Sequence, residues 1–192
     1  VYAGPRSGAG NFSTDTLYDL GGKWVTPGMF MAVTDLGLAD VEGVSDSNDT
    51  RAARSRFSAA LDASTAVNYA SQHVAVSRAG GVTRASIVTS PGGAIFAGQG
   101  AVIDTGADKD AVVATRTFQM VTLGEAGARI AGGSRVAAYA ELANAMREAG
   151  EFAAGRWRGE GNLLTRADAE ALSAVVTGTQ PLYVQVERSA DI

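Results

Sequence analysis

Short apolar runs that alternate with helical patterns are the feature that most constrains the fold of this chain. Each run has the length and the continuous apolar character of a strand that is buried on both faces. Glycine and proline turns separate several of these runs from their neighbours. The alternation predicts βα units, so we assign the chain to the α/β class with a parallel sheet. The predicted strands begin at Met29, Val82, Thr117 and Leu182.

Three segments carry helical spacing, and two of them begin after a residue that is a good N-cap. The predicted helices cover 71–79, 135–152 and 166–176, with Ser134 and Thr165 as the caps of the last two. The middle helix has the strongest pattern. Its predicted buried face consists of Val136, Tyr139, Ala140, Ala143 and Met146.

About four βα units fit into the 192 residues of the chain, whereas a closed (β/α)8 barrel takes about 250 residues. We therefore predict the first half of a TIM-type barrel over 21–192, preceded by a loop-like segment over 1–20. We interpret Gly98-Gln99-Gly100 as a tight loop between two short extended pieces. The chain begins with Val1 and shows no signal-peptide pattern, so we expect a processed or partial product. A half-barrel leaves two sheet edges open, which predicts a homo-oligomer.

Composition excludes several classes of function. The formal net charge of -4 is spread without blocks of one sign, so we predict no nucleic-acid partner. No apolar run approaches the roughly 18 residues that a transmembrane helix needs, so we predict no membrane partner. The absence of cysteine excludes disulfides, thiolate metal ligands and a cysteine nucleophile. The compartment stays open between periplasm and cytoplasm.

Three polar residues stand at or just after the ends of predicted strands. Asp35 follows the first strand and is either an acid in a pocket or a cap for the loop that follows. Gln185 and Glu187 alternate with Val184 and Val186, so both are predicted to point toward the barrel interior. A buried Glu187 needs a pocket or a partner, and a nearby arginine is the alternative to a functional role. We select Asp35, Gln185 and Glu187 as candidate catalytic residues.

The single histidine, His73, lies on the predicted helix before the second strand. Active sites of barrels lie at the carboxyl ends of the strands, so His73 is predicted to be a surface or packing residue. Without another histidine, Ser90 and Ser134 have no partner for a Ser-His-Asp triad within this chain. The polar segment 45–50 is predicted to be a solvated loop.

The segment 21–37 resembles the entry into the first barrel strand of the amidohydrolase superfamily, a group of metal-dependent hydrolases. The family's run reads Val-x-Pro-Gly-Leu-Ile-Asp-x-His-x-His-x-Gly, and here Val33 and Asp35 stand at its two histidines. In a later strand, Gln185 stands where the imidazolonepropionase and prolidase-like branch has a metal-binding histidine. The further segments that are similar to this branch follow in the family's order: 62–68 with 76–83, then 92–103, then 181–192.

The resemblance implies a hydrolase of carbon–nitrogen bonds that takes a small-molecule amide, either a non-peptide amide or a dipeptide. It identifies no metal ligand and no cofactor-binding residue in this chain, because Val33, Asp35 and Gln185 replace the expected histidines. A divalent metal would need ligands from sequence beyond this chain. The alternative is a non-catalytic amidohydrolase homologue that serves as a binding or partner subunit.

Overall fold

In a computed structural model, the chain folds into one five-stranded sheet with helices packed against it. The structure describes residue 4 and residues 18–41, 43–106 and 109–191. Most of the predicted N-terminal loop segment, 1–20, lies outside the described residues, and the domain division stays a prediction. The strands are β1 (Met29–Thr34), β2 (Val82–Ile87), β3 (Phe96–Asp104), β4 (Val112–Thr122) and β5 (Leu182–Gln185). The helices are α1 (Gln72–Ala79), α2 (Gly124–Ile130), α3 (Arg135–Ala153) and α4 (Arg166–Val176), with short 3-10 turns at Ser45–Ser47, Ala63–Ala66 and Ser189–Asp191.

The sheet is mixed, so the prediction of a parallel sheet is wrong for its central strand. The strands lie in the order β1-β2-β3-β4-β5; β1 and β2 pair in parallel, as do β4 and β5, whereas β3 is antiparallel to both of its neighbours. The reason is the length of the connections. Only 88–95 and 105–111 link β3 to its neighbours, whereas a parallel pair needs a crossover of about a dozen residues or more. The sheet is curled like half of a barrel.

The glycine segment 98–100 is part of β3 and not a loop, so that prediction is also wrong. Gln99 pairs with Gln119 of β4, and Gly100 pairs with Phe118. The ring of Phe118 lies against Gly100 so closely that a Cβ there would be 2.1 Å from the ring carbon Cζ. The glycine therefore marks a close approach between a backbone and a ring within the sheet.

The predicted helix caps are present, but the predicted buried face of α3 is wrong. Ser134 Oγ accepts from the N–H of Val136 at 3.2 Å, and Thr165 Oγ1 accepts from the N–H of Asp168 at 3.2 Å. The buried side of α3 carries Ala138, Ala145, Glu148 and Ala149, and Val136 is 79% exposed. Alanine lies on every side of this helix, so its sequence gives little contrast between the faces.

Two buried carboxylates join the helices to neighbouring loops. Glu148 of α3 accepts from the N–H groups of Leu163 and Leu164, both at 2.9 Å, and from Asn144 Nδ2 at 2.8 Å. Asp168 of α4 accepts from two backbone N–H groups of the segment 58–60, both at 2.9 Å, and from the Thr165 hydroxyl at 2.6 Å. These hydrogen bonds compensate for the removal of both charges from water.

The outer strands β1 and β5 expose apolar side chains. Phe30 is 55% exposed, and Tyr183 and Val184 are also exposed. Both strands lie at an edge of the sheet, so each has one side without a strand neighbour among the described residues. None of the helices that the structure describes is long and apolar enough to cross a lipid bilayer.

Candidate active site

The carboxyl ends of β1, β2, β4 and β5 surround a cavity of about 360 Å³. These four strands run in one direction, so the residues that follow them meet at one edge of the sheet. Its lining combines apolar and polar side chains, and Asp35 and Gln185 are both exposed at its rim. The lining residues are Val33, Thr34, Asp35, Val88, Thr89, Ser90, Pro91, Ala97, Met120, Thr122 and Gln185.

Asp35 follows β1 directly and lies exposed at this rim. The alternative role for Asp35 was to cap the loop that follows β1. Thr34 does this instead, because its Oγ1 accepts from the N–H of Leu36 at 3.3 Å. The backbone carbonyl of Asp35 accepts from the N–H of Leu38 at 2.9 Å, which turns the chain away from the sheet. Within the described part of the chain, the Asp35 carboxylate has no hydrogen-bond or ion-pair partner. It is open to a ligand in the cavity.

Gln185 ends β5 and contributes an oriented amide to the same cavity. Its Oε1 accepts from Thr122 Oγ1 of β4 at 3.3 Å, and its backbone carbonyl accepts from the N–H of Leu123 at 2.9 Å. Because Oε1 is the acceptor, Nε2 is the atom that can donate to a ligand. The sequence reasoning did not select Thr122, although its position at the last residue of β4 is the signal that identifies it.

The positions at which the resemblance expects histidines thus converge: Val33, Asp35 and Gln185 line one cavity. The residues present do not fit a metal site. The Val33 side chain has no ligand atom, and Asp35 and Gln185 supply oxygen ligands only. Across residues 18–41, 43–106 and 109–191, no three His, Cys, Asp or Glu side chains are grouped closely enough to hold a metal ion.

Glu187 lies at the N-terminus of α2, outside the cavity of Asp35 and Gln185. Its Oε2 accepts from the N–H of Glu125 at 2.8 Å and its Oε1 from the N–H of Ala126 at 3.1 Å. These backbone hydrogen bonds, Glu125 first, hold the pKa of Glu187 below its ordinary value, against a smaller opposing effect of desolvation. Gly124, at φ +63°, permits this contact because a Cβ there would be 2.0 Å from Oε2.

The expectations for the surroundings of Glu187 are therefore corrected. The side chain is exposed rather than buried, and its hydrogen-bond donors are backbone amides. A nearby arginine acts only through its charge, since Arg129 lowers the pKa of Glu187 by less than the hydrogen bonds from Glu125 and Ala126 do. The neighbouring Arg188 pairs with Glu125. A catalytic role for Glu187 stays a prediction.

Two further cavities adjoin the candidate site. One, of about 820 Å³, lies beside β1 and α1 and includes Asp35, Asp40 and His73 in its lining. His73 is half-buried there. The other, of about 520 Å³, shares Ser90 with the candidate site and carries the side chain of Arg129. The sequence pattern contained no signal for this arginine, because its position depends on the placement of α2.

Of the comparisons with known proteins, only the one with solved structures bears on this chain, and it concerns the fold. No protein-family model matches the sequence, and no curated protein matches it. Among solved structures, the chain is similar to the crystal structure of an amidohydrolase from Thermotoga maritima MSB8, with a TM-score of 0.71 and 18% identity. The match covers 93% of this chain and 51% of the other, so the chain spans about half the length of that protein. At this identity the similarity shows the fold alone.

Proposed function

We propose that the chain is part of a hydrolase that cleaves carbon–nitrogen bonds in small-molecule amides, non-peptide or dipeptide, within a longer polypeptide. The observation that carries this proposal is the convergence of Val33, Asp35 and Gln185 on one cavity at the carboxyl ends of the strands. The fold shared with about half of a protein named an amidohydrolase adds support by analogy. The three positions are the ones that the sequence resemblance aligns with active-site residues.

The chemistry follows from the two polar groups at the rim. The Nε2 group of Gln185 donates to the carbonyl oxygen of the amide, and its hydrogen bond with Thr122 fixes the direction of donation. The Asp35 carboxylate accepts a proton from the attacking water, which is the role of a general base, and gives that proton to the amide nitrogen as the carbon–nitrogen bond breaks and the amine leaves. The apolar lining residues, which include Val33 and Met120, hold the hydrocarbon part of the substrate.

The open edges of the sheet support the proposal that further sequence completes the barrel. Exposed apolar residues on β1 and β5, such as Phe30 and Val184, are unfavourable in contact with water. Further strands would cover them and would supply the remaining active-site groups, including any metal ligands. A homo-oligomer is the other arrangement that covers these edges, and the molar mass from light scattering distinguishes the two.

The test of the proposed function is hydrolysis by the full-length protein. It is incubated with dipeptides, N-acetyl amino acids and five- and six-membered cyclic amides, and released amines or opened rings are measured. We expect turnover of at least one class. The absence of turnover in all three, with a folded protein, would contradict the proposal.

The second candidate is a non-catalytic homologue that acts as a binding or partner subunit. Val33 lines the cavity and favours this non-catalytic role, because its hydrocarbon side chain can pack against a ligand but takes no part in chemistry. The discriminating variant combines Val33→His, Asp35→His and Gln185→His. Gain of bound zinc by elemental mass spectrometry, in a protein that is inactive before substitution, supports this candidate. Hydrolysis of an amide by the unaltered protein contradicts it.

A further inference from the structure

A separate cavity, of about 540 Å³, lies toward the amino-terminal ends of β4 and β5 and shares no residue with the candidate active site. One wall is α4, whose residues 167, 170, 171 and 174 follow each other at the spacing of a single helix face. Three of these four are alanines, which leaves room between the helix and the sheet. The other wall contains Gln99, Arg116 and Gln180.

Buried amides form the floor of this cavity. Gln180 is only 7% exposed, and its Nε2 donates to the carbonyl oxygen of Arg116 at 2.8 Å and to Gln99 Oε1 at 3.4 Å. Its Oε1 has no hydrogen-bond partner within the described part of the chain. Gln119, directly across the strand pair from Gln99, is fully buried, and both of its side-chain polar atoms are without a partner there. Buried polar atoms are nearly always hydrogen-bonded, so the unpartnered Oε1 of Gln180 is an unused acceptor behind the surface of the cavity, whereas Gln119 does not line the cavity.

Arg116 supplies a positive charge at the rim. Its Nε donates to Asp62 Oδ2 at 2.8 Å, and the Asp62 side chain is 10% exposed. The residue has φ +51°, which is uncommon for a residue with a side chain and places the guanidinium beside Asp62. Burial raises the pKa of Asp62, but hydrogen bonds from Ser64 and Arg116 outweigh this effect and lower it overall. The Nη groups of Arg116 have no partner among the described residues and are free to donate.

Glu170 on α4 supplies a negative charge at the opposite wall. Its side chain is exposed, and its carboxylate forms no hydrogen bond or ion pair with the residues that the structure describes. It does not pair with Arg116 across the cavity. The Glu170 carboxylate is therefore left for a ligand, and so are the Nη groups of Arg116, whose Nε is already paired with Asp62.

We propose that this cavity binds a small zwitterion, an α-amino acid or a dipeptide, at a site separate from the candidate active site. The ligand's carboxylate pairs with the Nη groups of Arg116, as guanidinium and carboxylate groups match in geometry. The ligand's ammonium pairs with the exposed carboxylate of Glu170. The apolar walls from Ala167 and Ala171 accommodate a small side chain. This inference does not rest on the proposed hydrolytic function.

The test is a titration of the full-length protein followed through the NMR signals of the glutamine side-chain amides. L-alanine and alanyl-alanine are the probes, and acetate and methylammonium, each carrying one of the two charges, are the controls. We expect saturable shifts of the Gln180 and Gln99 signals with at least one of the two zwitterions. We expect acetate and methylammonium to bind at least roughly tenfold more weakly than the tighter zwitterion, because each makes only part of the charged contacts. The tighter probe identifies whether amino acid or dipeptide is the ligand.

Two variants make the result specific to the site. Glu170→Gln removes the charge from an exposed position of α4, and Arg116→Gly removes the guanidinium while it allows the same backbone φ. We expect each to weaken binding roughly tenfold, whereas Glu160→Gln, the same change on an exposed loop, leaves it unaltered. Shifts that do not saturate, or binding that Glu170→Gln leaves unchanged, would overturn the proposal.

Discussion

The carboxylates of the helical layer and those at the carboxyl edge of the sheet have opposite surroundings. Glu148 and Asp168 are almost completely buried, and each accepts two backbone N–H groups and one side-chain donor. Asp35 is exposed and has no partner in the described part of the chain. The carboxylates of the helical layer therefore contribute to stability, whereas the carboxylate of Asp35 is available for chemistry. A group that already accepts several hydrogen bonds cannot bind a substrate without their loss.

The largest expected effect is at Glu148, where substitution tests whether the buried carboxylates hold the helical layer together. Glu148→Ala leaves the N–H groups of Leu163 and Leu164 without an acceptor in a buried position. We expect the free energy of unfolding to fall by about 3 kcal/mol, measured by urea denaturation. Glu160→Ala, on an exposed loop, is the matched control. A loss equal to that of the control would contradict the claim that the buried carboxylates stabilise the helical layer.

A smaller effect is expected at Asp168, because a conservative substitution keeps part of its hydrogen bonding. Asp168→Asn retains Oδ1 for the N–H groups of Ser58 and Ala60 but replaces the oxygen that accepts from the Thr165 hydroxyl. We expect a loss of about 1–2 kcal/mol in the same denaturation experiment. A loss larger than that of Glu148→Ala would contradict the ranking of the two sites.

Glu187 sharpens the comparison, since it is exposed and yet has backbone partners. Its pKa is lowered in the folded protein by the N–H groups of Glu125 and Ala126. The stabilisation is therefore present above its ordinary pKa of 4.5 and is lost as the pH falls through the lower folded value. We expect Glu187→Gln to flatten the decline of thermal stability in this acid range. An unaltered pH profile would show that the carboxylate contributes nothing as a helix cap.

The smallest effect on stability is expected at Asp35. Asp35→Asn removes no hydrogen bond or ion pair within the described part of the chain. The free energy of unfolding should stay within about 0.5 kcal/mol of the unaltered protein. A loss above about 1 kcal/mol would show that Asp35 is a structural residue, like Asp168.

The sequence predicted those parts of the fold whose local pattern and packing agree. The apolar runs at Met29, Val82 and Leu182 are strands, and Ser134 and Thr165 cap helices. β4 begins at Val112 rather than Thr117. The direction of β3 could not be predicted from its composition, because it depends on the short connections that join β3 to β2 and β4.

The candidate site was predictable in position but not in detail. Asp35 and Gln185 meet because both follow parallel strands, which a strand-end argument anticipates. Glu187 lies outside the site because β5 ends at Gln185. The strand alternation that predicted an interior position for Glu187 therefore does not extend to that residue. The amides of Gln99, Gln119 and Gln180 gave no local signal, since they come together only through strand pairing.

The central claim is that Asp35 is the general base of a hydrolytic site, and kcat/KM tests it most directly. The measurement compares the full-length protein with Asp35→Asn on whichever amide it hydrolyses, and with Asp49→Asn as an exposed control in the following loop. We predict a loss of roughly a hundredfold or more for Asp35→Asn, with stability and the Asp49→Asn activity unchanged. Equal activity of all three proteins would contradict the claim.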